Sequence, residues 1–146
     1  MAQAFSQALG QLISGDEASA TIALGQLCTS KAGTPARHFE MATRLLQAMQ
    51  YCHSSQPSAE AEARLAALAL AEAQLTFSAD AATQARGRQL AGHIYEDYLG
   101  DRAAAEASYR AAVQADPTLI SAQARLDRLL WQDAFVAAKV HVSKAN

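Results

Sequence analysis

The sequence predicts an all-α protein made of antiparallel helical hairpins laid side by side. Three observations carry that expectation. About a quarter of the 146 residues are alanine, the strongest helix former and small enough to let helices approach closely. All three prolines, Pro35, Pro57 and Pro117, fall where apolar-periodic stretches begin or end. Strand signals are almost absent, with no alternating β-branched run and no Asn-Gly turn.

Seven helices follow, with short connections that force neighbours to run antiparallel. The first is expected over Ala4 to Ser14 and the second over Asp16 to Lys31, separated by Gly15, with Asp16 capping the second. The third, Pro35 to Ser54, opens on the cap Thr34 with Pro35 at the first helical position. Phe39, Ala42, Leu45, Leu46, Met49 and Cys52 recur along it as one apolar stripe, opposite Arg37, Glu40, Arg44 and Gln47. The fourth, Ser58 to Phe77, has Ser58 as cap and Glu60 and Glu62 in a first turn that favours negative charge. The fifth and sixth, Ala81 to Leu99 and Asp101 to Ala115, are separated by Gly100, and Asp116-Pro117 ends the pair. The seventh, Thr118 to His141, is expected to bury Leu119, Ala122, Leu126, Leu129 and Leu130.

An internal echo links the first and last hairpins. GDEASATIAL from Gly15 and GDRAAAEASY from Gly100 each open a helix with Gly-Asp and place alanines alike, Ala18 and Ala20 against Ala103 and Ala105. The copies lie 85 residues apart, roughly two and a half periods of a 34-residue repeat, which makes the middle irregular.

The stretch from Leu90 to Pro117 resembles a tetratricopeptide repeat. Gly92 and Tyr95 resemble the small and aromatic residues of that repeat's first helix, and Gly100-Asp101 its tight turn. Ala105, Tyr109 and Ala112 are similar to the small, aromatic and small residues of its second helix, and Asp116-Pro117 to its terminator. Gly92 to Gly100 is one residue longer than the family pattern, so the first helix is expected to be slightly re-registered. The N-terminal pair keeps Ala8, Gly15-Asp16, Ala20, Leu24 and Leu27 but lacks the aromatics and the proline. The middle pair has longer helices and no Gly-Asp turn. The resemblance therefore implies one domain over residues 1–146: a short α-solenoid of about three repeats, clearest over 84–117, with a capping helix over about 118–142.

Composition argues against several function classes. A net charge of −2 carries no electrostatic footprint for nucleic acid. No uninterrupted apolar run approaches the length that spans a bilayer. Two cysteines, Cys28 and Cys52, form no disulfide framework, and the N-terminus lacks signal-peptide character, so a cytoplasmic location is expected. The four histidines, His38, His53, His93 and His141, include no helical zinc signature, and adjacent Cys52-His53 point about 100° apart. Carboxylate pairs at Asp16/Glu17 and Glu60/Glu62 suit first helical turns, which leaves Glu96/Asp97 as the pair with most room for function. No nucleophile elbow or phosphate loop occurs, and Cys28, beside Leu24 and Leu27, reads as a buried inert thiol. No catalytic residue, cofactor or metal is expected.

The expected function is that of a non-enzymatic scaffold, adaptor or small chaperone. In the resembled family the first helix of each pair lines a concave groove that binds peptides. Carried onto this sequence, the third helix offers Arg37, Glu40, Arg44 and Gln47, and the fifth offers Arg86, Gln89, His93, Glu96 and Asp97. A mixed-charge groove with Arg37, Arg44 and Arg86 is the result, with a protein or peptide as partner. On the last helix Trp131, Phe135, Val136, Val140 and Val142 run past the stripe that seats it. They are expected to pack under the preceding pair; exposed instead, they would seal a homodimer or dock a partner.

Overall fold

A computed structural model describes residues 2–28, 33–55 and 58–145. They form α1 (Ala2–Ile13), α2 (Glu17–Cys28), α3 (Pro35–Ser55), α4 (Ala59–Gln74), α5 (Ala81–Ile94), a π-helical turn (Tyr95–Leu99), α6 (Arg102–Ala115) and α7 (Ile120–Ala145). Among the described residues there is no strand, and no helix is long and apolar enough to cross a membrane. The end expected for the second helix at Lys31 lies outside the described residues, as do Pro57 and the side chains of Cys52, His53 and Val142.

The local chemistry of the helix ends explains the boundaries. Gly15 and Gly100 both adopt positive φ, 94° and 64°, the left-handed conformation that ends a helix most cheaply at glycine. The aspartate after each then caps the next helix: Asp16 accepts from the Ser19 amide at 3.3 Å and Asp101 from that of Ala104 at 3.0 Å. Ala20 and Ala105, equivalent in the echo, are both fully buried. Ser58 caps α4, accepting from the Ala61 amide at 3.2 Å. Its own amide donates to Glu17 at 2.9 Å, tying the start of α2 to that of α4.

α1 packs on α2, α3 on α4 and α5 on α6, while α3 also touches α1 and α5, and α4 touches α2 and α5. The main core runs through the first five helices, with Phe5, Leu12, Leu24, Leu45, Met49, Leu65 and Ile94 at its centre. Ala42, Ala73 and Ala91 meet where α3, α4 and α5 converge, and their small side chains permit the close approach. A separate cluster of Ala105, Tyr109, Leu126 and Leu129 seats α7 on α6.

Three boundaries depart from the sequence expectation. α4 stops at Gln74 rather than Phe77, because the chain turns over residues 75–78 to bring Thr76 against Gly87. A Cβ at Gly87 would overlap the Thr76 hydroxyl. α5 does not reach Leu99 as an α-helix: it widens into the π turn over Tyr95–Leu99. α7 extends to Ala145 and buries Ala122, Leu126 and Leu129, whereas Leu119 is half-buried and Leu130 exposed. Trp131, Phe135, Val136 and Val140 do not pack under the preceding pair; all four are exposed, Trp131 and Phe135 because they lie on the side of α7 away from Ala122, Leu126 and Leu129, and Val136 and Val140 because they follow Asp133, which pairs with Arg102 at the very start of α6.

Candidate functional site

α3, α5 and α7 enclose a hollow of about 330 Å³. α3 lines it with Phe39, Thr43 and Leu46, α5 with Arg86, Gln89, Leu90 and His93, and α7 with Arg125. Phe39, Leu46 and Leu90 give it an apolar floor, while the charged groups that line it, Arg86, Arg125 and His93, are all of basic type. Such a hollow suits a ligand that pairs an apolar side chain with a carboxylate, because the arginines then meet an opposite charge beside buried apolar surface.

The surroundings of each basic group define what it can offer. His93 is half-buried, and its Nε2 lies 3.0 Å from Asp97 Oδ2. Burial first, and the Arg125 charge next, hold its pKa below the usual histidine value. Arg86 lends charge to Asp116, the residue that follows α6. Gln89 accepts a hydrogen bond from the Ser121 hydroxyl at 3.1 Å, which joins α5 to α7 at the hollow's rim.

The structure divides the residues expected from sequence. Arg86, Gln89 and His93 line the hollow. Arg37, Glu40, Arg44 and Gln47 do not. Glu40 and Arg44 pair with each other at 2.7 Å, and the Arg44 guanidinium stands 5.9 Å over the Phe5 ring, toward α1. The expected groove uniting Arg37, Arg44 and Arg86 is therefore not one surface, because Phe39 and Leu46 turn the apolar edge of α3, not its charged edge, toward α5. Arg37 and Gln47 are exposed.

Glu96 and Asp97 are committed to internal contacts. The π turn aims Glu96 at two helices at once: its Oε1 accepts from the Tyr109 hydroxyl at 2.9 Å and from Arg128 at 2.8 Å, while Oε2 accepts from Arg128 at 2.8 Å. This clasp locks the α5–α6 hairpin to α7 and fixes the third wall of the hollow. Tyr109 is fully buried, and its phenol pKa is pushed up to about 12 by burial and by bonding to Glu96.

Arg125, Phe39, Thr43, Leu46 and Leu90 were not among the expected site residues. Phe39 and Leu46 carried the right pattern but were placed in the core stripe. Arg125 had no separable signal, because it stands three residues after Ala122 and four before Leu129, at the edge of the stripe that seats α7.

A second polar cluster lies between α2, α3 and α4. His38 Nδ1 sits 2.7 Å from Glu72 Oε2, with the two residues only 5% and 3% exposed. The Cys28 thiol also bonds to Glu72, and its pKa is pushed up to about 12, by burial first and then by the Glu72 charge. A thiol so protonated is a poor nucleophile at neutral pH. Among the described residues no three histidines, cysteines or carboxylates gather closely enough to hold a metal ion.

No family model, no curated protein and no solved structure matches the chain.

Proposed function

We propose that this chain is a non-enzymatic, cytoplasmic protein-interaction module of tetratricopeptide-like architecture. It holds a peptide segment in the hollow between α3, α5 and α7. The observation that carries the reading is the composition of that hollow: an apolar floor of Phe39, Leu46 and Leu90 beneath Arg86 and Arg125. A peptide with an acidic residue next to an apolar one fits it, the apolar side chain on the floor and the carboxylate between the arginines.

Three further features support the architecture. The pairing of α1 with α2, α3 with α4 and α5 with α6 gives three hairpins whose first helices touch in succession. Gly-Asp turns with the glycine at positive φ connect the helices of the first and third hairpins. Tyr109 packs directly against Gly92, so two of the positions that carry the resemblance meet across the α5–α6 hairpin.

Selection from a random peptide library tests the function. The expected result is enrichment of acidic–apolar sequences, with binding weakened at least tenfold by Arg86→Ala combined with Arg125→Ala. If the double variant selects the same peptides with unchanged affinity, the hollow is not the binding site. Arg37→Ala combined with Arg44→Ala is the control and is expected to leave binding intact.

A further inference from the structure

α5 and α7 run side by side in the same direction along the hollow. Gln89 bonds to Ser121 and, two turns on, Glu96 bonds to Arg128, so both ties join residues 32 positions apart. The same offset sets Arg125 beside His93, and both side chains line the hollow. Arg86 lies two turns earlier on α5, about 10 Å along its axis. A carboxylate paired with Arg125 therefore stands next to the His93 ring.

Every charge that bears on His93 already has an opposite. In the π turn, Asp97 Oδ2 lies 3.0 Å from His93 Nε2. Glu96 gives both its oxygens to Arg128 of α7, and one of them also to the Tyr109 hydroxyl of α6. Arg125 of α7 acts on His93 with the sign opposite to Asp97. α3 presents Phe39, Thr43 and Leu46, none of them ionisable, while Glu62 of α4 acts on Tyr98, whose ring lies 6.3 Å from that of His93. Glu96 thus offsets Arg128 and Asp97 offsets Arg125. No net charge remains to hold an imidazolium, and half-burial keeps the ring neutral at pH 7. Asp97 can only accept, so the neutral ring carries its proton on Nε2, and Nδ1 is the basic nitrogen.

We infer that His93 is the residue by which the hollow selects a negatively charged ligand: an acidic side chain enters together with one proton from solvent, which settles on His93 Nδ1, and the imidazolium so formed joins Arg125 in holding the ligand's carboxylate. This rests on the peptide-binding reading above and adds to it the residue that discriminates between ligands. The carboxylate is the unmatched anion that the cluster lacks when empty. A neutral apolar peptide brings no such anion, takes up no proton and forgoes that part of the attraction. The sign of the linkage follows. Ligand favours the protonated ring, so affinity rises as pH falls, until the ligand's own carboxylate protonates at about pH 4. Arg86 and Arg125 stay charged throughout, so they set the strength of binding while His93 sets its dependence on pH.

The probe is the capped peptide acetyl-Ala-Glu-Leu-Ala-amide, with its glutamine counterpart as the neutral control, titrated into the full chain by NMR between about pH 8 and pH 6. The dissociation constant of the glutamate peptide should fall at least roughly threefold over that range, because a carboxylate beside a histidine raises its pKa by about 1 or more. That of the glutamine peptide should not change. His93→Gln should leave the affinity at pH 8 within roughly twofold of the wild type and abolish the dependence on pH. Arg86→Ala should weaken binding at every pH and preserve the dependence. The wild-type ring gives a reading that needs no variant: its C–H proton shifts should move toward imidazolium values when the glutamate peptide is added at about pH 7. A wild type that binds the glutamate peptide equally across the range, or a pH dependence that survives His93→Gln, overturns this inference and leaves the peptide-binding reading standing. A glutamate peptide that binds at no pH in the range overturns that reading and this inference with it.

Discussion

Replacing Gly92 with alanine tests the α5–α6 contact more sharply than any larger change. A Cβ at this position would stand 2.5 Å from Tyr109 Cε1, 2.7 Å from Cδ1 and 3.0 Å from Cζ. The ring cannot swing away, because Tyr109 is fully buried and its hydroxyl is held by Glu96. Relief must come from moving α5 off α6, and overpacking of this kind costs about 1–3 kcal/mol, toward the upper end where the obstructing ring is fixed. Alanine returns up to about 1 kcal/mol through its helix propensity. The net expectation is a loss of about 1–2 kcal/mol, or roughly 3–8 °C in melting temperature for a domain of this size. Gly10→Ala and Gly25→Ala supply the contrast. Both glycines are inside helices with nothing within 4 Å of the added carbon, so the same substitution should stabilise by about 0.5–1 kcal/mol. Urea unfolding followed by circular dichroism measures all three. If Gly92→Ala is as stable as the wild type, or more so, the close packing of the two helices through this glycine is wrong.

Other consequences are open to simple tests. Glu72→Ala leaves the buried His38 ring without its hydrogen-bond partner and should cost about 1–3 kcal/mol, while joint apolar replacement of His38 and Glu72 should recover much of that loss; a double-mutant cycle by urea denaturation checks it. Cys28 should alkylate at least roughly tenfold more slowly at pH 8 in the folded protein than in urea, as read by peptide mass spectrometry. Because the Cys28 and Tyr109 pKa values are both raised on folding, their contribution to stability is complete below about pH 9 and declines as pH rises toward 12, so the unfolding midpoint should fall over that window. His93 has a lowered pKa, so its contribution is present above about pH 6.5 and is lost as pH falls through the folded value. An NMR titration should place His93 below the usual histidine range, and an acidic peptide in the hollow should move it upward; a titration at or above the ordinary value refutes both the burial and the Arg125 proximity.

Much of the fold was written in local chemistry, which acts over a few residues and can be read without knowing the neighbours. The Gly-Asp turns, the Ser58 and Asp101 caps and the burial of Ala20, Ala105, Tyr109 and Ala112 all belong to this class. The buried Glu72 was opaque for the opposite reason: its partners, His38 and Cys28, are 34 and 44 positions away, and nothing in one helix's periodicity distinguishes a carboxylate that meets them from one facing water. The hollow was legible on one wall only. Helical spacing correctly grouped Arg86, Gln89 and His93, but which edge of α3 faces them depends on how α3 rolls against α1 and α5. That roll is set by the Ala42–Ala73–Ala91 convergence, a three-helix property. The exposure of Val136 and Val140 was missed because it turns on the relative lengths of α6 and α7, and apolar periodicity reads the same whether or not a partner lies beneath it.

A helix can accommodate one surplus residue by rotating everything beyond it through about 100°, or by swelling a single turn and leaving the rest in phase. The stretch from Tyr95 to Leu99 takes the second course. Gly92 consequently keeps its place over Tyr109, and Gly100 still caps the helix end. Removing one residue there would swing the Glu96 carboxylate away from Arg128 without disturbing α3 or the first half of α5. That short stretch thus behaves as a setscrew, through which a change of one amino acid in length would adjust how far the last helix stands from the others.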